Sequence, residues 1–144
     1  MKIIFNANIV LDVTLDGKPF SLTAAKLFLK VESKELVGLL GATIITTIHY
    51  IARKTVGTEK ARNEIEKLFK LCEIAPIDKS ILESTMKSKI KDLKDVVLCE
   101  ASKNVGVDAI VTRNPIDFKH GTLPVYLPEE LLKKLNEEKK KIKL

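Results

Sequence analysis

Two stretches of sequence decide the fold, KIKDLKDVVLCEA at residues 89–101 and DAIVTRNPIDF at residues 108–118. The first begins a predicted helix, and its Asp92 and Asp95 stand three residues apart, near one face of the first turn. The second contains a short buried strand that ends in a polar turn with Asn114 and Asp117. Ligands of open α/β sheets bind beyond the carboxyl ends of the strands. Acidic groups from both stretches are therefore expected to meet at one site.

The rest of the chain alternates short apolar runs with helical patterns. Strands are predicted at residues 2–5, 35–40, 72–75, 108–111 and 123–126, and helices at 22–31, 43–54, 58–71, 78–87 and 92–104, with further helices beginning near 9 and at 128. This alternation predicts an α/β protein, a three-layer α/β/α sandwich around a mostly parallel five-stranded sheet. Residues 1–132 are expected to form the domain, and residues 133–144 a lysine-rich C-terminal helix or tail.

Composition narrows the class of protein and its partners. With 25 Lys and Arg against 19 Asp and Glu, the net charge is +6, which favours a polyanionic partner. Cys72 and Cys99 have no metal-ligand spacing and stand among apolar residues, so buried free thiols are expected. No apolar run reaches the roughly 20 residues that span a bilayer, and the start enters a strand directly. A cytoplasmic location away from membranes is expected.

Three motifs in this sequence resemble those of the PIN domain family. They are IIFNAN at residues 3–8, DLKD at residues 92–95 and VTRNPIDF at residues 111–118, and the resemblance extends from Met1 to about Leu132. The sequence looks closest to the VapC-like toxins of prokaryotic toxin–antitoxin pairs. The resemblance implies a ribonuclease that depends on Mg²⁺ or Mn²⁺, with RNA as substrate, an antitoxin protein as partner, and a homodimeric assembly.

The resemblance also assigns residues to the site. Asp95 and Asp117 match acids of the family, so they are the expected catalytic residues and metal ligands. The further metal-ligand candidates are Asn6, at the position of the first family acid, and Asp92. The expected substrate contacts are Asn8, Thr112, Arg113 and Asn114.

Two positions depart from the family pattern. Asn6 offers an amide oxygen where the family has a carboxylate, so it can bind a cation but brings no negative charge. The second family acid aligns with Thr47, whose hydroxyl is a weaker ligand still. Lys94 also places a cation beside Asp95. The resemblance therefore implies a partly degenerate acidic site with weaker metal binding and slower turnover. Asn6 fits either a natural departure or a substitution that silences a nuclease.

Several residues and the function itself keep alternative interpretations. Asp92 can instead serve as a helix cap. Arg113 can instead be a solvated charge in a loop, and His120 can contact a phosphate. The main functional hypothesis is a metal-dependent endoribonuclease, and the alternative is a catalytically inactive PIN-like module that binds RNA or a protein partner. A flavodoxin-like domain for a small phosphate ligand ranks last, because the sequence lacks a P-loop and a GxGxxG motif.

Overall fold

A computed structural model describes residues 1–142 of the chain. Its strands are β1 (Lys2–Phe5), β2 (Val37–Gly41), β3 (Glu73–Ala75), β4 (Ala109–Val111) and β5 (Val125–Tyr126). They form one sheet in the order β3-β2-β1-β4-β5. Each of these four pairings is parallel, with Ile4 opposite Leu39 and Phe5 opposite Val111. The carboxyl ends of the strands therefore lie along one edge of the sheet.

Seven helices connect and cover these strands within residues 1–142. They are α1 (Ala7–Thr14), α2 (Ser21–Glu32), α3 (Ile44–Val56), α4 (Thr58–Leu71), α5 (Lys79–Ser84), α6 (Leu93–Asn104) and α7 (Pro128–Ile142), with 3-10 turns at Thr85–Lys87 and Pro115–Phe118. The predicted α/β/α sandwich is confirmed. None of these helices has the length and apolar character that crossing a bilayer requires.

The last helix passes through the expected boundary between domain and tail. It packs Leu131 and Leu135 into the core and continues to Ile142. Lys143 and Leu144, the end of the expected tail, lie outside the described residues. The division of the chain at residue 132 stays a prediction.

Alternation along the central strand divides the core into two layers. Ile3 and Phe5 pack with α1, α2, α3, α4 and α7 on one face of the sheet. Ile4 packs with α6, Ile90 and Phe118 on the other face. This period of two is the expected geometry of a strand buried on both faces. Since helices cover both faces, the carboxyl edge is where a parallel α/β sheet offers a site.

A glycine in β2 allows α2 to pack closely on the sheet. A Cβ atom on Gly38 would lie 3.0 Å from side-chain atoms of both Phe5 and Val31. Phe5 stacks on Phe28 of α2 with ring centroids 4.5 Å apart, a contact worth about 1 kcal/mol beyond its buried area. This packing fixes α2 against β1 and β2.

The observed strand boundaries differ from the predicted ones for local reasons. Leu36 donates its backbone N–H to the Lys30 carbonyl at 3.1 Å, so it closes the turn after α2, and β2 begins only at Val37. Pro124 has no N–H to donate to a strand ladder, so β5 is limited to Val125–Tyr126.

The predicted helix at residues 78–87 ends early as an α-helix. Asp78 caps α5 by accepting from the Ile81 N–H at 3.0 Å. The hydroxyls of Ser84 and Thr85 each donate to the carbonyl three residues earlier, both at 2.6 Å. Such side-chain bonds compete with helical ones, and the chain tightens into the 3-10 turn Thr85–Lys87.

The cysteine prediction is confirmed. Cys72 and Cys99 are both free and buried. Burial raises the pKa of the Cys72 thiol to about 12 and that of the Cys99 thiol to about 11. Because thiolates and not thiols are nucleophiles, neither cysteine suits nucleophilic catalysis.

Candidate active site

The predicted site residues lie where the strand order reverses. The chain runs outward through β2 and β3 on one side of β1, then crosses to β4 on the other side. Ligands of open α/β sheets bind at such a reversal, beyond the carboxyl ends. Asn6 directly follows β1 and Thr112 directly follows β4, and Asn6 donates its backbone N–H to the Val111 carbonyl at 2.9 Å. The first and third sequence motifs are therefore adjacent at this edge.

The Thr112 hydroxyl connects these two motifs. Its oxygen accepts from Asn6 Nδ2 at 3.1 Å, from Asn8 Nδ2 at 3.4 Å and from the Asn114 backbone N–H at 3.1 Å. Asn8 in turn accepts from the Arg113 N–H at 3.4 Å, and Thr112 is fully buried. A hydroxyl oxygen has two lone pairs and one hydrogen. Here three N–H groups face that one oxygen, which ties the first and third motifs together.

Three carboxylates line a separate cavity of about 300 Å³, here named the acidic cavity. Its other lining residues are Lys91, Ile116, Lys119 and His120. Asp92 is the N-cap of α6 and accepts from the Lys94 N–H at 2.8 Å, and Asp95 lies in the first turn of that helix. Asp117 is presented by the 3-10 turn Pro115–Phe118. The expected meeting of the two sequence stretches is thus observed.

The acidic groups of this cavity repel one another. Burial, then the negative charges of Asp92 and Asp117, raise the pKa of the Asp95 carboxyl to about 6, and Lys94 lowers it in part. Neighbouring like charges make ionisation harder, and a bound cation would relieve that repulsion. Perturbed carboxyl groups in a cavity are typical of functional sites.

In the metal-free protein, we expect the Asp95 carboxyl to titrate near pH 6, against 3.8 for an unperturbed group. Asp92→Asn should move this midpoint to lower pH because it removes one like charge, while Asn still caps the helix. Carboxyl-carbon NMR measures both midpoints. A titration midpoint that is the same in Asp92→Asn and in the unchanged chain would contradict the assigned repulsion.

The same raised pKa fixes the sign of a stability change. Between pH 3.8 and about 6, the unfolded chain has released the Asp95 proton and the folded chain still holds it. Raising the pH through this window therefore removes stability contributed by Asp95, and Asp95→Asn should abolish that part of the pH dependence. Chemical denaturation at several pH values measures it.

The Arg113 guanidinium is engaged within the protein. Its Nε lies 2.9 Å from Oδ2 of the buried Asp12, and the group sits over the Phe20 ring at 4.3 Å from the centroid. Burial raises the pKa of the Asp12 carboxyl, and Arg113 partly offsets this. The pair holds the loop after β4 against α1 and the start of α2. A contact of Arg113 with RNA stays a prediction.

The structure does not bring every predicted ligand together. Asn6 does not line the acidic cavity, and Thr47 lies exposed on α3. Within residues 1–142, no three His, Cys, Asp or Glu side chains gather closely enough to hold one metal ion. Magnesium is commonly held by one or two carboxylates, with waters and substrate phosphates completing its shell. Asp95 and Asp117 fit that simpler arrangement.

Two lysines of the acidic cavity were not singled out from the sequence. Lys91 precedes Asp92 and Lys119 follows Asp117 by two residues, so each cation lies beside an acid in sequence. Such lysines are usually solvated charges, and only the fold shows that both face one cavity. His120, considered for phosphate contact, lines the same cavity.

Solved structures share this fold. VapBC2 from Rickettsia felis, bound to a DNA fragment from its promoter, superposes with a TM-score of 0.69 and 14% identity, covering 88% of this chain and 98% of that one. A toxin–antitoxin complex from Klebsiella pneumoniae superposes with a TM-score of 0.65 and 20% identity, covering 88% of this chain and 97% of that one. Mycobacterium tuberculosis VapC20, a sarcin-ricin loop cleaving toxin, superposes with a TM-score of 0.61 and 11% identity, covering 75% of this chain and 86% of that one. At these identities the likeness establishes the fold.

Sequence comparison identifies the family. No curated protein sequence matches the chain. The sequence model of the PIN domain matches residues 2–115, which include β1 with Asn6, the start of α6 with Asp95, and Thr112 with Asn114 at the end of β4. These segments carry the first two motifs and the beginning of the third, and Asp117 follows two residues after the matched range. The chain belongs to the PIN domain family.

Proposed function

We propose that this protein is an endoribonuclease that uses Mg²⁺ or Mn²⁺, and that it is the toxin of a toxin–antitoxin pair. The proposal rests on the acidic cavity at the carboxyl edge of the sheet, which Asp92, Asp95 and Asp117 line together with two lysines. Membership of the PIN domain family supports it. The net charge of +6 suits a polyanionic substrate.

In this proposal each residue of the cavity has a separate task. Asp95 and Asp117 hold the cation, which when bound supplies Lewis acidity toward phosphate and makes water more acidic. Asp92 fixes the start of α6 and adds negative potential. Lys91 and Lys119 attract the phosphate group, since lysine acts as a compact point charge.

The polar cluster around Thr112 has a positioning task in the same proposal. Asn8, Thr112 and Asn114 fix the loop that leads from β4 to Asp117 through the bonds described above. Polar groups that hold metal ligands in place orient those ligands. Their loss typically lowers metal affinity or activity by about 10–100-fold, which corresponds to about 1–3 kcal/mol. Direct contacts of these groups and Arg113 with RNA remain part of the proposal.

A second candidate is a non-catalytic PIN module that binds RNA or a protein. Two observations favour it. Asn6 stands at the position of a family acid, and the part of the chain that the structure describes gathers no three metal-binding side chains. Both features leave less negative charge close to a bound cation.

Incubation of the purified chain with total prokaryotic RNA tests the two candidates. We expect new RNA ends with Mg²⁺ or Mn²⁺, none with EDTA, and recovery when metal is restored, because the carboxylates alone offer no Lewis acid. A preparation from cells lacking the gene controls for contaminating nucleases. RNA binding without cleavage under all these conditions would favour the non-catalytic module.

The proposed partners follow from the toxin assignment. One of the similar structures is a toxin–antitoxin complex, and another is VapBC2 bound to a DNA fragment from its promoter. Both support an antitoxin partner for this chain. A homodimer and a cytoplasmic location belong to the same proposal. Co-purification with the product of a neighbouring small gene and light scattering of the purified chain would test partner and assembly.

A further inference from the structure

A second cavity, of about 350 Å³, lies beside the acidic cavity and differs from it in charge. We name it the lysine cavity. Its lining comprises Ser84, Lys87, Ser88, Lys89, Ile90, Cys99, Glu100, Lys103, His120, Gly121 and Thr122. We propose that it binds a phosphate of the RNA strand next to the phosphate that is cleaved. This inference rests on the proposed function and names where the substrate backbone runs.

The two cavities are continuous along two segments of the chain. His120 lines both of them. Between the 3-10 turn Thr85–Lys87 and α6, the chain has no regular secondary structure, and Ile90 is buried between the exposed Lys89 and Lys91. Lys89 lines the lysine cavity and Lys91 lines the acidic cavity. One strand of nucleic acid can therefore follow this segment from one cavity to the other.

The charge of the lysine cavity suits phosphate. Lys103 is paired with Glu100 at 3.3 Å. For Lys87 and Lys89, no carboxylate lies within salt-bridge distance among residues 1–142, so both charges are available. Ser88 and Thr122 add hydroxyl groups, which with lysine are common phosphate contacts. Glu100 is the single acid in the lining, which contains no Phe, Tyr or Trp side chain.

The two cavities differ in charge, so they are expected to act differently on an RNA strand. The carboxylates of the acidic cavity repel an anionic strand unless a cation is present, whereas the lysine cavity attracts it without metal. Binding at the lysine cavity would thus hold the strand while the scissile phosphate meets the acidic groups. Contacts to phosphate position a nucleic acid and carry no sequence information.

The test compares two matched double variants for binding of single-stranded RNA without metal. Lys87→Gln with Lys89→Gln should weaken binding about tenfold and lower the slope of log affinity against log salt by about 0.7, the value for one phosphate contact on a single strand. Lys60→Gln with Lys70→Gln removes the same charge from exposed positions of α4, outside both cavities. We expect this control to change affinity less than twofold.

The outcomes separate this inference from the proposed function. Equal effects of the two double variants on affinity and slope would overturn the lysine cavity as a subsite, even where the chain cleaves RNA. A larger effect of the Lys87 and Lys89 variant supports the subsite. In a chain that cleaves RNA, the same variant should raise KM and leave kcat unchanged. In a chain that never cleaves RNA, the proposed function fails while the binding result still decides the subsite.

Discussion

Asp95→Asn is expected to lower kcat for RNA cleavage by at least about 100-fold, because a metal-holding carboxylate should matter more than the outer groups that orient it. At neutral pH the same variant should raise the melting temperature. Asp95 has a pKa of about 6, mainly because of burial and two acidic neighbours, so its ionised form is unfavourable in the folded chain. An uncharged amide of the same shape removes that repulsion. Loss of activity with a gain of stability is typical of a residue retained for function.

Single-turnover cleavage and thermal unfolding measure the two effects. Asp117→Asn should reduce kcat similarly, with little change in melting temperature, because Asp117 is exposed. Asp16→Asn is the matched control. It makes the same chemical change at an exposed residue that lines neither cavity, and Asn tolerates its φ of 50°. Activity equal to that of the control in both active-site variants would show that these carboxylates do not hold the cation.

The sequence predicts the architecture well because its signals are local. Short apolar runs bounded by turns indicate the strands, and the 3.6-residue period indicates α4, which begins and ends where predicted, Thr58–Leu71. Asp92 is of a residue type that is favoured at helix N-caps, and it directly precedes the helical pattern. The structure shows that it is the N-cap of α6. Boundaries are less predictable where one bond to a neighbouring element decides them, as with Leu36 and Lys30 before β2.

The site is only partly readable from the sequence, because its contacts join distant segments. The spacing of Asp92 and Asp95 and the turn with Asp117 predict the acidic cavity. Nothing local to Arg113 indicates that Asp12 and Phe20 would engage it, since that depends on how α1 and α2 pack against the sheet. The same holds for Lys91 and Lys119, which meet only when α6 and the turn after β4 are in place.

The bonds at Thr112 indicate how a carboxylate would fit at position 6. Three N–H groups face the Thr112 oxygen, including Asn6 Nδ2 at 3.1 Å. A carboxylate at position 6 would accept the hydroxyl hydrogen of Thr112 and leave two N–H donors for the two lone pairs of its oxygen. It would also lie at the N-cap of α1, where negative charge is favourable. The surroundings of Asn6 therefore suit an acid without rearrangement.

Asn6→Asp is accordingly expected to tighten Mg²⁺ and Mn²⁺ binding by about 10–100-fold, because it adds a negative charge at the carboxyl edge of the sheet, where the acidic cavity lies. Calorimetric titration of the metal measures the affinity, and cleavage of RNA at limiting metal should rise in parallel. Asn63→Asp adds the same charge on the exposed face of α4 and is the control for a general electrostatic effect. Equal metal affinity in these two variants would place residue 6 outside the cation site. Tighter metal binding with no cleavage would instead favour the non-catalytic module, since the missing charge would then not be what limits the chemistry.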